Sequence, residues 1–103
     1  MAATLVGPVG VSPGLPGGNR AALDVTAATV LKATAGICVS VSVIVPGTAA
    51  GTVNDVATTG GAVVANQFGT IPDAVGTYTF NWPCGTGITV VPGTGQTIAV
   101  SFA

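Results

Sequence analysis

Charged side chains are almost absent from this chain. They make up 5% of its 103 residues, against about a quarter in an ordinary globular protein, and histidine is missing altogether. The whole set is Arg20, Asp24, Lys32, Asp55 and Asp73, which gives a formal net charge of -1. Binding to nucleic acid or to an anionic membrane surface requires clusters of lysine and arginine. The composition therefore predicts that neither is a partner.

Long apolar runs are missing as well, although the mean hydropathy is high at +0.77. A membrane-spanning helix needs about 20 consecutive apolar residues. The best run, residues 37–45, is interrupted by two serines and ends at Pro46. The N-terminus lacks the basic start and continuous apolar block of a signal peptide. We therefore expect no transmembrane helix, synthesis in a cytoplasm, and release by lysis if the protein leaves the cell.

The residues that usually carry catalysis are also scarce. Without histidine, a cysteine nucleophile lacks its common activating base, and two thiols are too few to hold a metal ion. The carboxylates Asp24, Asp55 and Asp73 lie far apart in the chain, which favours single solvated charges over an acid/base pair. We expect no catalytic, cofactor-binding or metal-binding residue, and hence no enzyme.

Two glycine pairs invite a comparison with phosphate-binding loops. Gly85-x-Gly87 and Gly93-x-Gly95 are each followed by strand-like sequence, whereas a nucleotide-binding loop opens a helix. Neither is followed by the lysine of a P-loop. The pattern indicates tight hairpin turns in which glycine supplies positive φ.

Cys38 and Cys84 are the only cysteines, so one disulfide is possible. In a chain without a secretory signal, two reduced and buried thiols are the commoner outcome. We expect free thiols, with a Cys38–Cys84 bridge as the alternative.

Proline and glycine dominate the first twenty residues. Their density prevents helices and sheet interiors, so we predict an extended arm at residues 1–20, followed by one domain at residues 21–103. Apolar side chains interrupt the arm, which suggests that it lies against a partner or its own domain. The predicted contact residues are Leu5, Val6, Val9, Val11 and Leu15.

From residue 21 the pattern is typical of β-structure. We predict strands within residues 22–33, 36–45, 51–58, 77–82, 88–91 and 96–102, and either a helical turn or an edge strand within 62–76. In residues 36–45 the alternation places Ile37, Val39, Val41, Val43 and Val45 on the packed face. Short strands with Gly/Pro turns between them indicate an all-β sandwich or a jelly-roll-like domain of six to eight strands.

Three of the five aromatic residues fall in one predicted strand. Tyr78, Phe80 and Trp82 alternate with Thr and Asn, so period two places them on a common face. We expect this face to belong to the core, with a sugar-binding platform as the less favoured interpretation.

Scarce charge indicates that partner molecules cover part of the surface, because a weakly charged exterior promotes association. Within residues 35–103, the stretches "AGICVSVSVIVPGTAAGTVND" and "GTYTFNWPCGTGITVVPGTGQTIAVSFA" resemble small all-β structural proteins of tailed bacteriophages, of the capsid-decoration (cement) or head-fibre kind. The resemblance implies a β-sandwich or β-tulip domain on the outside of the virion head. It also implies a homotrimer whose N-terminal arm lies on the major capsid protein.

The leading hypothesis is thus a non-enzymatic capsid decoration protein that binds the major capsid protein and copies of itself. It needs no cofactor and resides in the virion. The alternatives are a surface-displayed receptor- or carbohydrate-binding module and a tail structural subunit. An exposed Trp82 or Tyr78 would favour the binding module.

Overall fold

The computed structural model describes residues 19–103, and within them it contains eight strands and one 3-10 turn at Val64–Asn66. The strands are β1 (Arg20–Val25), β2 (Thr29–Lys32), β3 (Gly36–Val45), β4 (Gly51–Asn54), β5 (Gln67–Ile71), β6 (Gly76–Cys84), β7 (Ile88–Val91) and β8 (Thr97–Phe102). The predicted all-β class and strand number are confirmed. The predicted arm at residues 1–20 lies almost wholly outside the described residues.

The strands form two antiparallel four-stranded sheets. The front sheet has the order β1-β8-β3-β6, and the back sheet has the order β2-β7-β4-β5. Strand β1 pairs with β8, β2 with β7, β3 with β6, and β4 with β5. The chain is thus one long antiparallel hairpin, with its tip between β4 and β5, rolled up into two layers. This arrangement is an eight-stranded jelly roll, one of the sandwich types that the sequence predicted.

A narrow aliphatic core lies between the two sheets. Its members are Val25, Cys38, Val41, Val43, Val53, Ile71, Cys84, Ile88, Val90, Ile98, Val100 and Phe102. The predicted last strand alternates regularly, because Ile98, Val100 and Phe102 are buried in this core while the residues between them are partly exposed. Beta-branched side chains suit a pleated surface buried on one side, which explains why they dominate here.

The faces predicted for residues 36–45 are wrong at both ends of β3. Cys38 is buried while Ile37 and Val45 are each 46% exposed. Val39 is an extra residue between the pairs Cys38–Phe102 and Ser40–Ser101, so β3 carries a β-bulge at this point. A bulge shifts the alternation by one residue, which reverses the inward and outward positions before it, at Ile37 and Cys38. A second register irregularity, between Val43 and Val45, accompanies the exposure of Val45 at the other end of the strand.

The early strand predicted at residues 22–33 is two strands in different sheets. Asp24 has φ of 55° within a register irregularity of β1, and residues 26–28 carry the chain to the back sheet as β2. The predicted strand 51–58 ends at Asn54. The ambiguous stretch 62–76 contains both predicted alternatives, since the 3-10 turn leads directly into β5.

The predicted hairpin turns after β6 and β7 are also wrong. Both connections cross from one sheet to the other, since β6 and β8 belong to the front sheet and β7 to the back sheet. Positive φ is present at Gly95 (72°) but not at Gly85, Gly87 or Gly93. At Gly93 the reason for glycine is space, because an added Cβ would overlap the carbonyl oxygen of Ala49 in the opposing connection.

We predict that Gly93→Ala destabilises the fold by about 2–4 kcal/mol, since two backbone segments would have to separate to admit the methyl group. Urea unfolding followed by the single tryptophan measures the change. Gly60→Ala is the matched control, because no atom lies within 4 Å of its added Cβ. Equal stabilities for the two variants would contradict the close approach of the two connections.

Candidate functional surfaces

The outer side of the front sheet carries small and uncharged side chains. A shallow groove crosses it, lined by Ala21, Leu23, Ser40, Ser42, Ala99 and Ser101, with Val100 at its floor. The hydroxyls of Ser42 and Thr77 are hydrogen-bonded across β3 and β6 at 2.9 Å, so part of the polar surface is satisfied within the sheet. Leu23 has the largest exposed apolar side chain in the groove, and this residue is 75% exposed. The front groove therefore offers a neutral, mostly flat surface.

A second surface lies where the edge strands β5 and β6 face each other. Phe68 and Trp82 stack with ring centroids 5.5 Å apart and planes inclined by 6°, while Phe80 meets Phe68 edge-on at 6.0 Å. Phe68 and Phe80 are partly buried against the core, and Trp82 is 46% exposed. The prediction that Trp82 belongs to the core is therefore wrong, whereas Phe80 and Tyr78 do pack against it.

The backbone of β6 is irregular just before Trp82. Phe80 and Asn81 together stand opposite the single residue Val39, and Asn81 has a positive φ of 48°. Phe80 and Trp82 nevertheless both contact Phe68, so they share a side of the strand, and Trp82 is exposed because it lies at the edge of the sandwich. Tyr78 lies before the irregularity, and its hydroxyl donates to the carbonyl oxygen of Ala74 at 2.8 Å. No local sequence pattern marks Phe68 as the stacking partner of Trp82, since the two meet only through tertiary packing.

Asp55 holds the connection between β6 and β7. Its carboxylate accepts hydrogen bonds from the backbone N–H groups of Gly85, Thr86 and Gly87, at 3.0, 2.8 and 3.2 Å. These bonds lower the pKa of the Asp55 carboxyl, and those from Thr86 and Gly85 contribute most to the lowering. The donors that a phosphate-binding loop would offer to a ligand are thus occupied by a carboxylate of the same chain. Sequence reasoning treated Asp55 as a solvated charge and missed this role.

Residues 55–66 form a compact loop against the outer side of the back sheet. The Asp55 N–H donates to the Asn66 carbonyl at 2.8 Å, and the Thr89 hydroxyl donates to the Val56 carbonyl at 2.7 Å. Thr89 is fully buried as a result. The outer sides of the two sheets therefore differ, because the back sheet is partly covered by its own loop while the front groove is open.

The buried Gln96 ties two further connections together. Its side-chain NH₂ donates to the Pro72 carbonyl at 2.8 Å, and its side-chain oxygen accepts from the Gly93 N–H at 3.0 Å. A buried amide with both ends bonded is tolerated in an aliphatic interior. Its role is structural, and it offers no free group to a ligand.

Cys38 and Cys84 are both buried and both free in the structure. They lie on the paired strands β3 and β6, where Cys84 stands opposite Gly36 and Cys38 opposite Trp82. Burial, together with the proximity of Cys84, raises the pKa of Cys38 to about 12, and burial with the nearby Asp55 raises that of Cys84 to about 11. Both thiols are therefore protonated at neutral pH and poorly nucleophilic. The Cys38–Cys84 bridge, the alternative to the expected free thiols, is not formed in this structure.

Within residues 19–103, no group of three or more Cys, Asp or Glu side chains is placed to hold a metal ion. No helix among these residues is long and apolar enough to cross a membrane. The predicted contact residues Leu5, Val6, Val9, Val11 and Leu15 lie outside the described part of the chain. Comparison with models of protein families, with curated proteins and with solved structures finds no match to this chain.

We predict that Asp55→Asn lowers the free energy of unfolding at pH 7 by about 1 kcal/mol. Hydrogen bonds to a charged group contribute more than this when buried, but solvent screening weakens them at this exposed site. Because the pKa of Asp55 is lowered in the folded state, its contribution is fully present above the unfolded-state pKa. It is lost as the pH falls through the folded-state pKa, in acid below about pH 4. Urea titrations between pH 7 and acid should show a smaller acid-dependent loss in the variant.

The control for this measurement is Asp73→Asn, which removes an exposed carboxylate from the connection between β5 and β6. We expect it to change stability by less than about 0.5 kcal/mol at pH 7. If Asp55→Asn lost as much stability in acid as the unmodified protein, the ionised Asp55 carboxylate would not be the group that stabilises the 85–87 connection.

Proposed function

We propose that this protein is a non-enzymatic structural subunit of a bacteriophage virion, which decorates the capsid by binding the major capsid protein and copies of itself. The observation that carries the proposal is the front groove together with the neutral face around it. A face built from Ala, Ser and Thr with one projecting leucine suits close packing against another neutral surface. A charged partner would find no complementary group among the side chains that line it.

The dimensions of this face support a mode of binding in which the face and the N-terminal arm both contact the capsid. Four strands about 4.8 Å apart and six to ten residues long present roughly 500 Å². A stable protein–protein interface needs about 800 Å² from each partner. The face alone is therefore too small, and the proposal assigns the remaining contact to the apolar side chains of the arm. Two weak contacts joined by one chain reinforce each other when many copies bind side by side.

The architecture is compatible with this proposal. Jelly rolls occur in viral capsid proteins, and they also occur in lectin domains. Because one fold serves many functions, the fold alone does not decide between these classes. The neutral face and the charge-poor composition are what favour the structural role.

We predict that Leu23→Glu abolishes self-association and capsid binding, because it places a charge among the uncharged side chains that line the front groove. Native mass spectrometry and co-sedimentation with heads built from the cognate major capsid protein measure the two effects. Val75→Glu introduces the same charge at an equally exposed site, 67% exposed in the connection between β5 and β6. We expect Val75→Glu to remain associated and bound, so parallel behaviour of the two variants would contradict the role of the front groove.

A second prediction concerns the arm. Replacing Leu5, Val6, Val9, Val11 and Leu15 together by serine keeps the chain length but removes the apolar contacts. We expect an unchanged thermal unfolding transition and at least a tenfold weaker binding to heads, corresponding to a loss of about 1.4 kcal/mol or more. Full occupancy of heads by the serine variant, at the concentrations where the unmodified protein saturates them, would overturn the proposed role of the arm.

A further inference from the structure

We propose that the exposed face of Trp82 is a binding platform for a neutral pyranose sugar. The inference rests on the geometry of the β5–β6 edge and does not depend on the proposed capsid role. A flat indole face can stack on the C–H face of a sugar ring, which has a similar size.

The platform is held rigidly from behind. Phe68 stacks in parallel with Trp82 at 5.5 Å, and Phe80 in turn contacts Phe68 edge-on at 6.0 Å. These are the preferred geometries of aromatic pairs. Phe68 and Phe80 pack against the core, so the indole is anchored through two rings to the interior. A preorganised ring loses little conformational freedom on binding, which favours weak ligands such as single sugars.

The exposed surface of Trp82 by itself is the size of a single small ligand. Trp82 is 46% exposed, which for a tryptophan corresponds to on the order of 100 Å². A stable protein interface needs about 800 Å² from each side. One ring of a small ligand matches the available area.

The absence of charged residues from both strands favours a neutral ligand. Neither β5 nor β6 contains Asp, Glu, Lys or Arg. Single-stranded nucleic acid also stacks on aromatic rings, but it requires a positively charged groove alongside them. A quaternary ammonium ion requires a cage of several aromatic faces, whereas one side of this indole is covered by Phe68. A neutral pyranose needs neither feature.

Polar side chains flank the platform in the sequence of each strand. Asn81 precedes Trp82 and is exposed, and Gln67 precedes Phe68 with its amide NH₂ 3.4 Å from the Thr70 hydroxyl. Amides both donate and accept hydrogen bonds, as recognition of sugar hydroxyls requires.

The test uses the full-length chain, in which Trp82 is the only tryptophan and hence an unambiguous fluorescent reporter. The probes are methyl β-glucopyranoside, methyl α-mannopyranoside and N-acetylglucosamine, with the acyclic polyol glucitol as the matched ligand control. We expect a saturable change in fluorescence for at least one pyranose, with Kd of about 1–10 mM, and no saturable change for glucitol. An equal response to glucitol, or none to any pyranose, would overturn the proposal.

Three variants separate the platform from other surfaces, with binding measured by saturation-transfer difference NMR because Trp82→Ala removes the fluorophore. Trp82→Ala should lose the transfer signal, and Phe68→Leu should weaken binding at least threefold by removing the backing ring. Val75→Ala truncates another exposed apolar side chain and should bind like the unmodified protein. Undiminished transfer to Trp82→Ala would disprove the site, and capsid binding of the same variant reports separately on the proposed function.

Discussion

Burial of an aliphatic core between the two sheets is the interaction on which the rest of the structure depends. The buried side chains are mainly valine and isoleucine, and Phe102 is the one aromatic residue buried with them among residues 19–103. The other bulky rings lie outside this aliphatic interior. They collect instead at the open edge between β5 and β6, where Phe80 and Phe68 close the side of the sandwich and Trp82 emerges into solvent. The exposed indole is thus a consequence of how the core is packed.

The connections between the sheets also contact one another directly. The Thr48 N–H donates to the Thr94 carbonyl, and Gly93 lies against the carbonyl of Ala49. At another connection the three N–H groups of residues 85–87 converge on Asp55. Backbone polar groups in such positions must find partners inside the chain, because unpaired buried groups are costly. With so few charges available, the Asp55 carboxylate bonds the 85–87 connection, and the buried Gln96 amide bonds Pro72 and Gly93.

The two exposed surfaces therefore have different physical characters. The front groove is broad, neutral and built from small side chains, and it suits a large partner that shares its lack of charge. The Trp82 platform is small, rigid and aromatic, and it suits a single ring. A decoration protein that carried both would attach to a capsid through one surface and present the other outward. Neither surface requires the ionic groups that the sequence lacks.

The sequence by itself determined the all-β class, the approximate positions of most strands and the inward face of β8. These features follow from local properties, namely beta-branched alternation and the punctuation by glycine and proline. It also indicated a charge-poor exterior without catalytic groups. Only the tertiary structure decided which residues of β3 are buried, because the bulge at Val39 reverses the alternation and leaves no mark in composition. Likewise, the stacking of Trp82 on Phe68 and the capture of residues 85–87 by Asp55 join segments that are distant in the chain. Such contacts depend on how the long hairpin rolls up, and local sequence patterns carry no information about that step.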